Sequence, residues 1–469
     1  MKSIKKLIFT IVVFILSLSP LFAQRYSTGA ILDPDRYQQV DAKPRLLTRN
    51  YTSLPRTVSL KHYSPIPENQ GDFGTCVGWA TAFAARTISE STVLNRTNQT
   101  QTSNSAFSPI YIYKQTSNDP SGQRGMPIAV ALDYMKNRGA VKRLPTERTM
   151  NFLSVNVSMY INAQRYTISN YVRLFDEPRG SVGTISGRVL PVKKSLSEGK
   201  PVIIGMNTPE SFFRAQDVWQ PTENPRRDYG GHAMCVVGYD DSRHGGAFEV
   251  QNSWGTEWGN NGYIWIKYED FASFVDEAYE IIENLANYRE STRLSVSIEV
   301  ELNNQQGGMP VTFDRQGFYR TRTSYPSGTE FRFMLTNRYP AYVYSFAADS
   351  YSPGTTRIFP ARGVSPVLDY SESSIAWPGE RLWIRMDDVA GTDYLVVLFS
   401  KEELDIAAIE QRFANERGTF PERVARAVGS NFVPYGNVQY NANRMEFSAV
   451  SINPRAVFGL LLAIDHHAR

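Results

Sequence analysis

Cysteine is scarce in this 469-residue chain: Cys76 and Cys235 are the only two. Cys76 lies in "QGDFGTCVGWATAFA", Gln70 to Ala84, after a glycine-rich turn and where an apolar periodicity begins. A thiol attacks as the thiolate, and a free thiol with a pKa near ~8.5 is mostly protonated at neutral pH. A helix start offers unpaired N–H groups and about half a positive charge, which favours the anion. Gly71 and Gly74 allow close backbone approach just ahead of it. On its own, such a cysteine also fits a packing role.

A nucleophilic thiol needs a base. Five histidines are present: His62, His232, His244, His466 and His467. His232 sits in "GGHAM", where small neighbours leave room around the ring. An imidazole can take the thiol proton and later return it to a leaving amine. Its second nitrogen must be held so that the correct tautomer faces the nucleophile. Asn252, in "NSWGTEWGNNGYIWI", offers an amide oxygen that does this without adding charge, and Trp254 can shield the bond from water. His244, in "DSRHGG", reads as a surface turn, and "DHHAR" at residues 465–469 as a solvated tail, since two ligands make a poor metal site. Cys235 lies three residues after His232 on an expected strand. Alternation turns it to the opposite face, into core. No metal or cofactor is expected.

These side chains need elements to position them. Trp79, Phe83 and Thr87 at four-residue steps predict one helix starting at the cysteine. "GMPIAVALDYMKNRG" predicts a second, with Ile128, Leu132 and Met135 on one face and Gly139 as its stop. "STVLNRTNQTQTSNSA" reads as an exposed loop. "PVKKSLSEGKPVIIGM" reads as helix, turn and buried strand, and "GHAMCVVGYDD", "AFEVQNSWG" and "YIWIKYED" as three more strands. "ENLANYRESTR" is an expected connector. Beyond it, short runs such as "TEFRFML", "AYVYSFAA", "RLWIRMD" and "DYLVVLFS", broken by Pro, Gly and Ser, predict a β-sandwich or barrel. A helical insert is expected at "SKEEL", capped by Ser400 with Glu403 three residues on.

Composition sets the outer limits. The length implies two to four domains. With 42% hydrophobic and 20% charged residues the chain is globular, and a net charge of +4 without basic runs argues against nucleic-acid binding. "MKSIKKLIFTIVVFILSLSPLFAQ" has a basic start, an apolar run and a small residue at Ala23, the layout of a secretory signal peptide. A secreted, periplasmic or extracellular protein is expected, with no integral membrane segment after signal cleavage. Two cysteines cannot build a disulfide scaffold.

Gln70, Cys76, His232 and Asn252 in that order, with "NSWG" and "WGNNGY", resemble the papain-like cysteine peptidases of bacterial secreted type, over roughly Leu54 to Ile282. The resemblance implies an α+β, two-lobed fold, a helical lobe with the thiol and a β-barrel-like lobe with the histidine, followed by a mainly-β, sandwich-like module. The expected organisation is 1–23 signal peptide, 24–53 lead-in, 54–283 peptidase domain and 294–469 C-terminal module. It implies polypeptide substrates, Cys76 as nucleophile, His232 as acid and base, and Asn252 as orienter. Gln70 and the Cys76 N–H would bind the oxyanion, where one donor is typically worth ~3–4 kcal/mol. Gly125 would pair with substrate backbone, and Met126, Pro127 and Ala233 would line the pocket for the side chain two residues before the scissile bond. Val77, Phe73 and Arg124 depart from the family pattern. The lead-in is too short for the family's long inhibitory prosegment but long enough to reach over a cleft. Two other readings use the same residues: a silent binding scaffold, and an acyl-transferase. Tyr339, Tyr342 and Trp377 are aromatic candidates for binding a protein or a cell-surface polymer through the C-terminal module, against a reading as sandwich core.

Overall fold

The computed structural model describes residues 26–144, 147, 154–176, 185–284, 292–303, 307–314, 318–349, 354–369, 373–451 and 453–468. The signal-peptide stretch and most of the expected connector lie outside them.

A mixed sheet forms the frame of the first half. Its strands run in the order Ile168–Arg173, Val275–Glu283, Val202–Asn207, Gly231–Asp240, Ala247–Gln251, Tyr263–Lys267 and Val218–Trp219, with Thr57–Ser59 paired to Gly231–Asp240. The central strands are buried on both faces, which is why "PVIIGM" and "HAMCVVGY" read as unbroken apolar runs. Against this sheet pack the helix Ile128–Arg138, which buries Ile128, Leu132 and Met135 and ends at Gly139 (φ +83°), and the helix that begins at Cys76. The latter is not uniform. It starts as α-helix over Cys76–Gly78, widens to π-type over Trp79–Arg86 and returns to α over Thr87–Val93. A register change of this kind has no side-chain signature, and π-type turns are frequent at functional sites. The stretch expected to be an exposed loop instead holds the helix Gln99–Asn104, capped by Asn98.

The second half is β-rich. Two sheets share an apolar core: one centred on Val457–His467, Gly391–Ser400 and Ala341–Asp349, the other on Glu330–Asn337, Thr292–Leu302 and Met445–Ser451. Phe331, Phe333 and Leu335 alternate inward from one side, Leu395, Val397 and Phe399 from the other. The intervening residues Val396 and Leu398 face a second cluster that includes the helices Ile406–Asn415 and Phe420–Val428 and runs on into the first half. Double-sided burial explains the solid run "YLVVLF". The helical insert starts later than expected. Ser400 ends a strand, Asp405 caps the first helix, and the capping box is Thr419 with Glu422.

The residues 465–469 read as a solvated tail behave otherwise. Residues up to His467 belong to a strand paired along its length with Gly391–Ser400. His466 is therefore buried, with Nε2 3.0 Å from Ser327 Oγ and Nδ1 3.2 Å from Asp393 Oδ2. Trp377 and Tyr342 are core residues, and Tyr339 is partly exposed.

The lead-in ties the halves together. Ala42 bridges to both Arg173 and Val364, Leu47 N–H donates to Ser374 O (2.9 Å), and Leu46 and Leu47 are buried. Lys43 and Lys200 lie among Glu280 and Asp369 in a buried group of four charges. Removing one partner leaves an uncompensated buried charge, worth ~3–5 kcal/mol. Lys43→Met is expected to lower unfolding stability by about that amount, read as a shift in urea midpoint; an unmoved midpoint contradicts it.

Candidate active site

The strand Gly231–Asp240 carries His232 into the interior opposite Met206, and Asn252 follows directly on the neighbouring strand. His232 Nε2 lies 2.7 Å from Asn252 Oδ1, and that oxygen also accepts the Ser253 N–H (2.7 Å). Two donors on one atom fix it as the amide oxygen, so Nε2 carries the proton and Nδ1 is left as a bare acceptor. Among the described residues Nδ1 has no hydrogen-bond partner. Trp254 stacks on the ring at 4.6 Å, and Phe213 stacks on Trp254 at 5.0 Å. This aromatic pile keeps water from the His232–Asn252 bond.

Cys76 is the first residue of its helix and is a free thiol, as is Cys235. Its sulfur lies against the backbone of Ala233, the residue next to His232, and of Ala30. Gln70 is buried and tied to the residue after Asn252, with Oε1 accepting from Ser253 Oγ (2.6 Å) and Nε2 donating to Phe73 O (2.7 Å). The thiol's helix start, the imidazole, the orienting amide and Gln70 thus converge. Cys235 is buried in the sheet, paired across strands with Gln251. His244 sits in the expected turn, 3.5 Å from Asp217. No group of three or more His, Cys, Asp or Glu side chains suited to a metal occurs among the described residues.

Residues 26–32 cover the site. Tyr26 stacks on Trp254 at 5.0 Å and Ser27 O accepts from Trp254 Nε1 (2.8 Å). Ala30 N–H donates to Gly231 O (3.1 Å), Met126 N–H to Gly29 O (3.0 Å) and Ile31 N–H to Met126 O (3.1 Å). One extended strand therefore bridges a wall on the helical side to a wall on the sheet side. Gly29 is wedged so that a Cβ would overlap the Gly74 carbonyl, and a Cβ on Gly125 would overlap the Gly29 carbonyl. Leu32 packs beside Gly205, Gly231 and Ile128. Of the residues expected to bind substrate, Gly125 and Met126 contact this strap, Ala233 lies under it, and Pro127 caps the following helix. Gly205, Gly231 and Ile128 are additional groove residues. For Gly205 and Gly231 the sequence trace is a glycine within a strand, whereas Ile128 reads only as a core position of its helix.

Under the strap Cys76 and His232 are both 0% exposed. Burial pushes the thiol up to about 12. Burial also pushes the imidazole down to about 4, against the opposing hydrogen bond from Asn252. Both shifts run toward the neutral form, so burial under the strap disfavours the thiolate–imidazolium pair.

A buried helix-start thiol, a tautomer-locked imidazole and an orienting amide define the class of thiol-dependent acyl-transfer sites. Comparison with known proteins narrows this. The family profile described as papain family cysteine protease matches residues 56–281, and this region is a papain-family cysteine protease domain. The chain is 31% identical over 137 residues to an uncharacterized peptidase C1-like protein of Acanthamoeba polyphaga mimivirus, covering 27% of this chain and 43% of that protein. It is 25% identical over 261 residues to peptidase 1 of Euroglyphus maynei, covering 52% and 73% respectively. Among solved structures, xylellain, a cysteine protease from Xylella fastidiosa, aligns at TM-score 0.43 and 20% identity, over 55% of this chain and 96% of that one.

Gly29→Val is expected to expel the strap. At pH 7 the native chain should resist iodoacetamide at Cys76, its rate rising only as pH nears the thiol's raised value. The variant should label at least ~10-fold faster at Cys76 and unchanged at Cys235. Equal labelling of native chain and variant refutes the cover.

Proposed function

We propose that the protein is a secreted cysteine peptidase made in a self-covered form. The carrying observation is the extended strap, a polypeptide backbone already held across the thiol by hydrogen bonds to Gly231 and Met126. A groove that binds its own chain this way suits a peptide substrate laid between a helical and a β-rich lobe. The domain limits that go with this reading are 24–53 for the lead-in, 54–283 for the peptidase and 294–469 for the C-terminal module, with 1–23 as the signal peptide.

Mechanism follows from the atoms. With the strap gone, water reaches the slot, the cost of charge falls, and the Cys76 proton passes to His232 Nδ1. The sulfur attacks the substrate carbonyl carbon. The oxyanion is met by the Cys76 N–H and by Gln70 Nε2, once the latter turns from Phe73 O. The C–N bond breaks as His232 gives its proton to the amine, leaving a thioester on Cys76. Water then adds, its proton going to His232, and collapse expels the thiolate. Asn252 holds the ring through both halves, and Trp254 keeps that bond dry.

Cys76→Ala is expected to abolish cleavage of a fluorogenic peptide while leaving the circular-dichroism spectrum intact. Normal turnover by that variant overturns the assignment. The uncovered enzyme's kcat/KM should follow a bell in pH, losing activity on the acid side as the thiolate is protonated and on the alkaline side as the imidazolium is lost. A profile without the acidic limb contradicts a working ion pair.

A further inference from the structure

The lead-in has two parts with different fastening. Residues 26–32 are held by backbone hydrogen bonds and by two partly buried side chains, Tyr26 on Trp254 and Leu32 against Gly205, with Ile31 half exposed. From Asp33 onward the hold comes from buried side chains. Asp33 N–H donates to Glu277 Oε1 (2.8 Å). Tyr37, on the short helix Pro34–Gln39, is 3% exposed. It donates to Phe175 O (2.8 Å) and sits edge-on to Tyr279 at 5.2 Å. Arg36 reaches the other wall, 3.7 Å from Asp133 on the helix Ile128–Arg138. Asp133 also accepts from Tyr171 Oη (2.6 Å) on the sheet's edge strand, so this short helix sits where the sheet side and the helical side meet. Downstream it is tied by Ala42, Lys43 and Leu47 to strands of both halves. Cutting the chain ahead of Asp33 frees the strap and leaves the helix in place.

We propose that the helix Pro34–Gln39 is a permanent cap on one end of the groove, and that the mature enzyme is therefore an exopeptidase removing dipeptides from free N-termini. The inference rests on the peptidase reading above. In that reading the acyl portion of the substrate, the part before the scissile bond, lies toward Gly125 and Met126, the end that the cap closes. Ala30 touches the thiol and Asp33 begins the cap, with Ile31 and Leu32 the two residues between them. The closed end therefore has room for two residues ahead of the bond that is cut, and the Leu32 space against Gly205, Gly231 and Ile128 favours an apolar second residue. The cut that frees the strap adds water across a peptide bond and leaves a new amino terminus at or near Asp33. Glu277, which already accepts the Asp33 N–H, is placed to pair with that ammonium. The Asp33 carboxylate is a third exposed, accepts the Arg36 N–H at Oδ1 (3.0 Å), and in this proposal is the partner of the incoming substrate's own ammonium.

The full chain is incubated until its mass stops changing, and its new amino terminus is read by mass spectrometry. Retention of residues 34–53 is expected; their loss overturns the cap. The matured protein is then given one decapeptide with an apolar second residue, in free and N-acetylated forms. Stepwise loss of dipeptides from the free form, with the acetylated form at least ~100-fold slower, is expected. Internal cleavage of both at similar rates overturns the cap and leaves the peptidase reading standing. Cleavage of neither, by protein whose Cys76 still labels, overturns both. In a Tyr37→Ala variant the acetylated peptide should gain at least ~10-fold in rate, and the comparison on the native sequence decides the matter if that variant does not fold.

Discussion

The site is governed by the cost of placing charge where water is absent. Cys76 and His232 are sealed under the strap, and each group's burial favours its neutral form. The two neutral forms together are inert, because a thiol is a poor nucleophile until it loses its proton. The protein need not distort the catalytic geometry to keep it silent. The Asn252 bond, the Trp254 stack and the helix start are all in place beneath the strap. In the proposed mechanism, removing the strap readmits water and vacates the substrate's place, and the one frame group that must then move is the Gln70 amide, which leaves Phe73 O.

That economy depends on a rigid frame, and the C-terminal β-rich half contributes to it. Lys43 in the lead-in and Lys200 in the first half meet Asp369 of the second half and Glu280 of the first. Such a buried group is weak evidence for net stability, since desolvation offsets much of the attraction. It does enforce register, because shifting any one member strands the others. Ser169 and Tyr342 add a hydroxyl contact at 3.0 Å across the same boundary. Leu46 then joins the second half's core, and Leu47 beside it is buried with its N–H on Ser374 O.

Which features could be read from the sequence follows from what kind of force makes them. Cys76, His232, Asn252 and Trp254 stand out because each chemical task admits few residue types, and the structure brings them to one place. Strands with both faces buried, such as Val202–Asn207, are legible as solid apolar runs. The strap is not. Ser27, Gly29 and Ala30 act through main-chain atoms, which every residue shares, and polar composition pointed only to an irregular lead-in. His466 was hidden for another reason. A histidine pair near residue 469 looks solvated until the strand pairing with Gly391–Ser400 is known, and that pairing joins residues some 70 positions apart. The π-type turns after Gly78 depend on which carbonyl each N–H selects, and no side chain encodes that choice.

The difference between strap and cap is one of composition. Gly29 and Ala30 offer almost no side-chain surface, so releasing them gives up backbone hydrogen bonds that water can replace at a net cost of about 1 kcal/mol each. Tyr37 buries a whole aromatic ring and satisfies its hydroxyl on Phe175 O, and exposing such a ring costs about 1.5–3 kcal/mol from area alone. The segment after it would also have to withdraw Lys43 and two leucines. The strap's larger side chains, Tyr26 on Trp254 and Leu32 against Gly205, are only partly buried, so it gives up less than the stretch after it, and the boundary falls at Asp33, whose N–H donates to the buried Glu277 carboxylate.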